Sequence, residues 1–215
     1  KAYSEKVTDY ERSFMFLNLD DKDHPAAMLV FDRIISSNKD FKKTWLLHGL
    51  QEPVINGNQT VFKRDQDGYN GKLTVDTLLP EAENAVIEKI GGEGKQFWVN
   101  DKNYMPDDTE SKDVGQIPKP GFFQEADGWR IELSPKLAQE TDYFLNVMQV
   151  GDANPDLPPL PVTHIETEKL TGAQIADRVV IFSKQKGRAK DTIDFNISGD
   201  GTFKILVADA LKGTW

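Results

Sequence analysis

Apolar and polar residues alternate in short stretches along this chain, and Gly, Pro, Asn and Asp punctuate them, with little of the three-and-four spacing that marks a helix. The alternation predicts strands over 13–17, 27–36, 43–50, 59–64, 72–79, 85–90 and 96–99, then over 129–133, 143–150, 162–166, 174–183, 192–197 and 202–208. A meander of about thirteen strands predicts an all-β fold: a large two-sheet antiparallel β-sandwich formed by residues 1–215 as a single domain. The tail GDGTFKILVADA reads as one arm of a hairpin, with Gly199 to Gly201 at the turn. Residues 100–124 are too rich in Pro, Gly and acidic side chains to pair, and a loop of that length is usually functional or mobile. The Pro-rich run DANPDLPPLPV reads as a stiff crossover between two strands.

Residues 26–50, AAMLVFDRIISSNKDFKKTWLLHGL, hold the most distinctive pattern. Met28, Val30, Asp32 and Ile34 fall on one face of the first strand, and Leu46, His48 and Leu50 on one face of the second. An odd-length loop over 37–41 would pair the two strands as a hairpin and bring Asp32 against His48. A carboxylate in an apolar row has to be paired, hydrogen-bonded or metal-bound, because leaving it bare costs several kcal/mol. A structural Asp–His pair and a metal site both meet that requirement. His24 sits in a polar turn and reads as a solvated turn residue, whereas His164 lies on a strand as a half-exposed residue or a further ligand. Trp45, Trp98 and Trp129 could stack on sugar rings, but their strand positions make core filling the default.

The chain has 38% hydrophobic and 28% charged residues, the balance of a globular protein. Its net charge of -9 argues against nucleic acid as a partner. Residues 31–64 are locally basic, with Arg33, Lys39, Lys42, Lys43, Lys63 and Arg64 against Asp32, Asp40 and Glu52. Such a patch attracts uronate or sulfate groups, although a lysine-guarded strand edge gives the same pattern. There is no Cys, hence no disulfide scaffold and no thiolate chemistry, and no apolar run long enough to cross a bilayer. The glycines of IGGEGKQF precede a strand rather than a helix, and neither G-x-S-x-G nor H-E-x-x-H occurs.

The run YERSFMFLNLDDKDHPAAMLVFDRIISSNKDFKKTWLLHGLQEP, with the later FWVNDKNY and DGWRIELSP, resembles the C-terminal β-sandwich of heparinase II/III-like polysaccharide lyases. The resemblance covers most of the chain and is strongest over residues 10–55. It implies an N-terminal α/α toroid upstream of Lys1, against which the sandwich packs to close the substrate cleft. It further implies a structural zinc ion, with Asp32 of the VFDR strand and His48 of the LLH strand as ligands beside an upstream histidine. The implied reaction is β-elimination on a uronate-containing acidic polysaccharide: the proton α to the carboxylate is abstracted and the glycosidic oxygen leaves with a proton. The base and acid for those steps belong to the toroid, so no catalytic residue is assigned here and the chain alone is expected to be inactive. Lys42, Lys43, Arg64 and the loop residue Tyr104 are the candidates for substrate contact. A polymer-degrading enzyme of this kind is expected in the bacterial periplasm or outside the cell. Two other readings compete: a non-catalytic carbohydrate-binding or scaffold sandwich, and an interface module with an exposed apolar face.

Overall fold

Every regular element in the described residues is a strand. A computed structural model describes residues 5–104, 128–189 and 192–213. Its strands are β1 (Val7–Asn18), β2 (Ala26–Ser36), β3 (Trp45–Gly49), β4 (Val54–Asn56), β5 (Gln59–Arg64), β6 (Gly71–Leu79), β7 (Ala85–Gly91) and the short pair β8 (Trp98–Val99) and β9 (Lys102–Asn103). They continue as β10 (Trp129–Pro135), β11 (Thr141–Asp152), β12 (Val162–Glu166), β13 (Leu170–Ile175), β14 (Arg178–Ser183) and β15 (Lys204–Val207).

The largest sheet is antiparallel throughout, in the order β1-β2-β11-β6-β5-β4. Its central strands β2 and β11 are buried on both faces, which is why 26–36 reads as a nearly continuous apolar run. Ala27, Leu29 and Phe31 point one way and join Leu145 and Val147 in a core with Ala173, Ile175, Val180 and Phe182 of a four-stranded sheet, β12-β13-β14-β15. Val30 and Ile34 point the other way. On that side Phe62, Phe144, Val75 and Met148 pack against Trp45, Leu47, Ile131 and Leu133 of a three-stranded sheet, β3-β10-β7. Glycine is required at position 49 because a Cβ there would run into the Phe62 ring. The all-β sandwich therefore stands, with a third layer beyond the two sheets expected.

Several local expectations are corrected. Residues 26–50 do not form a hairpin: β2 spends one edge on β1 and the other on β11, so β3 has no free edge to meet and crosses to β10 in another layer. The single strand expected over 174–183 is a tight hairpin, β13 to β14, turning at Ala176 with φ of 49°. Residues 192–197 form no strand. Ile193 and Phe195 instead cover the outer face of the four-stranded sheet, over Ile165, Leu170, Val179 and Ile181. The tail is not a hairpin arm either, because β15 runs parallel to β14. Most of the irregular loop 100–124 lies outside the described residues. One edge strand, β1, leaves Tyr10, Phe14 and Phe16 exposed along a single face.

Candidate functional site

Asp32 and His48 do not meet. Asp32 sits in the central sheet with its side chain 1% exposed, opposite Arg12 of β1 and Phe144 of β11. The Arg12 guanidinium clamps both of its oxygens, Nε to Oδ1 at 2.6 Å and Nη2 to Oδ2 at 2.8 Å. The Tyr10 hydroxyl donates to Oδ1 at 3.2 Å. Burial and the neighbouring Asp32 charge push the Tyr10 pKa up, so that hydroxyl keeps its proton at neutral pH. His48 lies in β3, where the inward row is Trp45 and Leu47, and its own row faces outward. The even-residue alternation holds in both strands, but it turns His48 away from the core that contains Asp32. The two residues thus do not fit a shared zinc site, and among the described residues no group of three or more His, Asp and Glu side chains is arranged to hold a metal ion.

The outward face of the three-stranded sheet instead builds a groove. Antiparallel register aligns His48, Arg130 and Ile90 in one row across β3, β10 and β7, and Leu46, Glu132 and Glu88 in the next. Beside these rows stands the small hairpin β8–β9. Its turn residues Asn100 and Asp101 have φ of 48° and 60°, the left-handed pair that a two-residue hairpin turn requires and that Asn and Asp tolerate. Asn103 pins the hairpin base by accepting from the Phe97 amide at 2.8 Å, and the Tyr104 amide donates to the Phe97 carbonyl at 3.1 Å. Arg130 ties hairpin to sheet, donating from Nη2 to the Trp98 carbonyl at 2.6 Å and from Nε to Glu132 at 2.8 Å. The resulting groove, of about 880 Å³, is lined by His48, Phe97, Tyr104, Trp129, Arg130 and Glu132 over an apolar floor that includes Leu46 and Ile90.

Three rings at or beside the groove carry a cation. Lys102 Nζ lies 4.9 Å from the Tyr104 ring centre, Lys95 Nζ 5.5 Å from Trp98 and Lys89 Nζ 5.8 Å from Trp129. An aromatic plane beside an ammonium group is a surface for a flat, partly apolar ligand that bears negative charge. Two residues singled out in the sequence, His48 and Tyr104, are brought together here, although for reasons unrelated to Asp32. Trp129 lines this groove half-buried rather than filling the core, and Trp98, half-buried too, reaches it only through its carbonyl. Phe97, Arg130 and Glu132 went unremarked in the sequence; the Asn-Asp turn inside FWVNDKNY was the signal for the hairpin that aligns them.

The other candidates disperse. Lys43 is buried, its Nζ 2.7 Å from Asp142 and 2.6 Å from the Gln139 carbonyl, so it is not a substrate contact. Arg33 is buried as well, held by Asp9 and Glu11. Arg64 stacks on Tyr69 with its guanidinium carbon 4.2 Å from the ring centre, and Lys42 is exposed. The basic stretch 31–64 is therefore no common patch. His24 is half-buried and its Nε2 lies 2.9 Å from the Pro158 carbonyl, fastening its turn to the Pro-rich run. His164 contacts Thr171 at 3.0 Å and Glu166 at 3.3 Å. Burial pushes the Glu166 pKa up, but hydrogen bonds from His164, Lys184 and Thr171 outweigh it and leave the carboxyl below its ordinary value.

A second anchor of the Pro-rich run makes a pH prediction. Asp156 accepts from Lys63 at 2.5 Å and Lys72 at 2.7 Å, and those two hydrogen bonds, Lys63 first, lower its pKa to about 2. A depressed carboxylate contributes stability that is complete above its unfolded pKa near 3.8 and is lost as pH falls through about 2. In an NMR acid titration the Asp156 carboxyl resonance should hold steady down to about pH 3. A midpoint at the ordinary value would show that the lysines do not engage it.

Residues 164–215 match the family model described as Heparinase II C-terminal domain. The match supports the C-terminal domain of a heparinase II/III-like lyase. It falls on the four-stranded sheet and its cover, from within β12 to the end of the chain, rather than on residues 10–55, where the resemblance is strongest. A C-terminal domain of this family implies an N-terminal partner domain and a lyase context. No curated protein matches the chain. Among the described residues no helix is long and apolar enough to cross a membrane.

Proposed function

We propose that this chain is the C-terminal part of a periplasmic or secreted lyase that cleaves uronate-containing acidic polysaccharides by β-elimination, and that the groove on β3-β10-β7 holds a segment of the acidic chain. The observation that carries this reading is the pairing of groove aromatics with lysines. A pyranose ring presents an apolar C–H face to Tyr104 or Trp129, while its carboxylate or sulfate lies within reach of Lys102; Lys89, beside Trp129, is already paired with Glu52. A volume of about 880 Å³ is of the size typical for small-ligand sites and suits a few sugar units. No described residue is assigned to proton abstraction, which the proposal leaves to the N-terminal domain. The chain by itself is then a binding wall without catalytic power.

Calorimetric titration with size-defined acidic oligosaccharides, heparin-type and alginate-type, tests the reading. Tyr104→Ala and Lys102→Ala should each weaken binding about tenfold, the loss of one stacking or one charge-assisted contact. Raising the salt concentration should weaken it further. Equal affinity for neutral and acidic oligosaccharides, or wild-type affinity in both variants, would defeat the assignment. Release of unsaturated uronate products by the chain alone would show that a complete catalytic set lies within it.

A further inference from the structure

The same Asp32 that the family resemblance makes a zinc ligand has its counter-charge already in place. A divalent ion would need lone pairs of Asp32 at about 2.0–2.2 Å, together with two or three further donors around it. Both carboxylate oxygens face a guanidinium instead, and the fork is bidentate, with Nε and Nη2 each taking one oxygen. On this face of β1 the neighbours of Arg12 are Tyr10 and Phe14, whose ring centres lie 6.0 and 5.8 Å from its guanidinium carbon. They sandwich the cation and offer one phenol and no imidazole. Across the sheet on the other side, the residue opposite Asp32 is Phe144, fully buried and unable to ligate. His48, the other ligand expected, lies on the far face of a different layer. A dication at Asp32 would have to sit against Arg12 or displace it.

We propose that Arg12, not a metal ion, is the counter-charge of Asp32 in this chain, and that the Arg12–Asp32 fork is a metal-independent staple holding the edge strand β1 to the sheet. Among the described residues β1 pairs by backbone with β2 alone, and beyond that pairing it is held by Leu17 in the core with the four-stranded sheet and by Arg178, which donates to the Asn18 carbonyl. A guanidinium suits the position: it cannot be deprotonated, it matches the carboxylate geometrically, and its flat faces pack on aromatic rings. The inference rests on the Asp32 geometry alone and is independent of the groove.

Metal analysis and thermal unfolding of the purified chain decide the matter. After exposure to zinc and desalting, the chain should retain none, and chelator should leave its Tm unchanged. Arg12→Ala leaves Asp32 buried without a counter-charge, with the Tyr10 hydroxyl as its remaining donor, and should lower Tm by about 10 °C. Arg12→Met combined with Asp32→Leu removes both charges and should return most of that loss, since an apolar pair often replaces a buried ion pair without cost. Near-stoichiometric zinc that disappears in Asp32→Asn, or a Tm lowered by chelator and restored by zinc, would overturn the proposal. So would a double variant as unstable as Arg12→Ala. Where Arg12→Ala fails to fold, Arg12→Lys replaces it: one ammonium in place of the fork should give an intermediate Tm, and a wild-type Tm would equally overturn the staple.

Discussion

Lys43→Ala should lower the unfolding free energy by about 3–5 kcal/mol, one of the two largest single-site effects expected in this chain. Lys43 and Asp142 are each only 6% exposed and stand 2.7 Å apart, linking the lead-in to β3 with the start of β11 in the central sheet. Truncating the lysine strands the Asp142 carboxylate in a dry interior and also deprives the Gln139 carbonyl of its donor. Most of the cost is that stranded charge rather than the worth of the pair. Lys43→Met with Asp142→Leu should therefore come back close to wild type in denaturant unfolding, whereas Asp142→Ala should resemble Lys43→Ala. Loss of less than about 1 kcal/mol in both single variants would mean that the pair is open to water.

Phe182→Ala should cost about as much, roughly 3–5 kcal/mol, for a different reason. The ring is completely buried and stacks on Phe31 at 5.1 Å between centres; Phe31 in turn stacks on Tyr143 at 6.1 Å. Phe182 belongs to the four-stranded sheet and Phe31 to the central one, so the truncation opens a void where two layers meet. Both lose contacts at once. Urea unfolding of Phe182→Leu should recover a large part of the loss, because leucine refills much of the volume. If alanine there costs less than about 1 kcal/mol, the two layers do not share the core described.

Most strand positions were legible in the sequence, because alternation and apolar runs are local properties of the chain; the turn at Ala176 and the absence of a strand over 192–197 were not. Which strand pairs with which was not. The hairpin expected over 26–50 assumed that neighbours in sequence pair, but β1 and β11 offer β2 ten or more aligned residues on each edge, and the short β3 cannot compete with either. The same alternation put Asp32 on an inward face correctly and said nothing of Arg12 twenty residues earlier. The sequence also gave no sign that Arg33 and Lys43 would be buried in ion pairs, so the local count of basic residues suggested a patch that the fold takes apart. Tyr104 lines the groove because it directly follows β9 of the small hairpin. His48 reached it because the outward row of β3 forms its floor.

The core around Phe31 has a consequence for how the chain is made. Its covering residues, 173–182, and Gln185, whose carbonyl accepts from Arg33 across a separation of 152 residues, emerge long after β2. During synthesis Leu29 and Phe31 wait until β13 and β14 have been made, with no partner layer above them. A nascent chain stalled or clipped before β13 should present that sheet face to chaperones and to other unfinished chains. Yield on expression is thus expected to depend more on β13 and β14 than on any position in the groove.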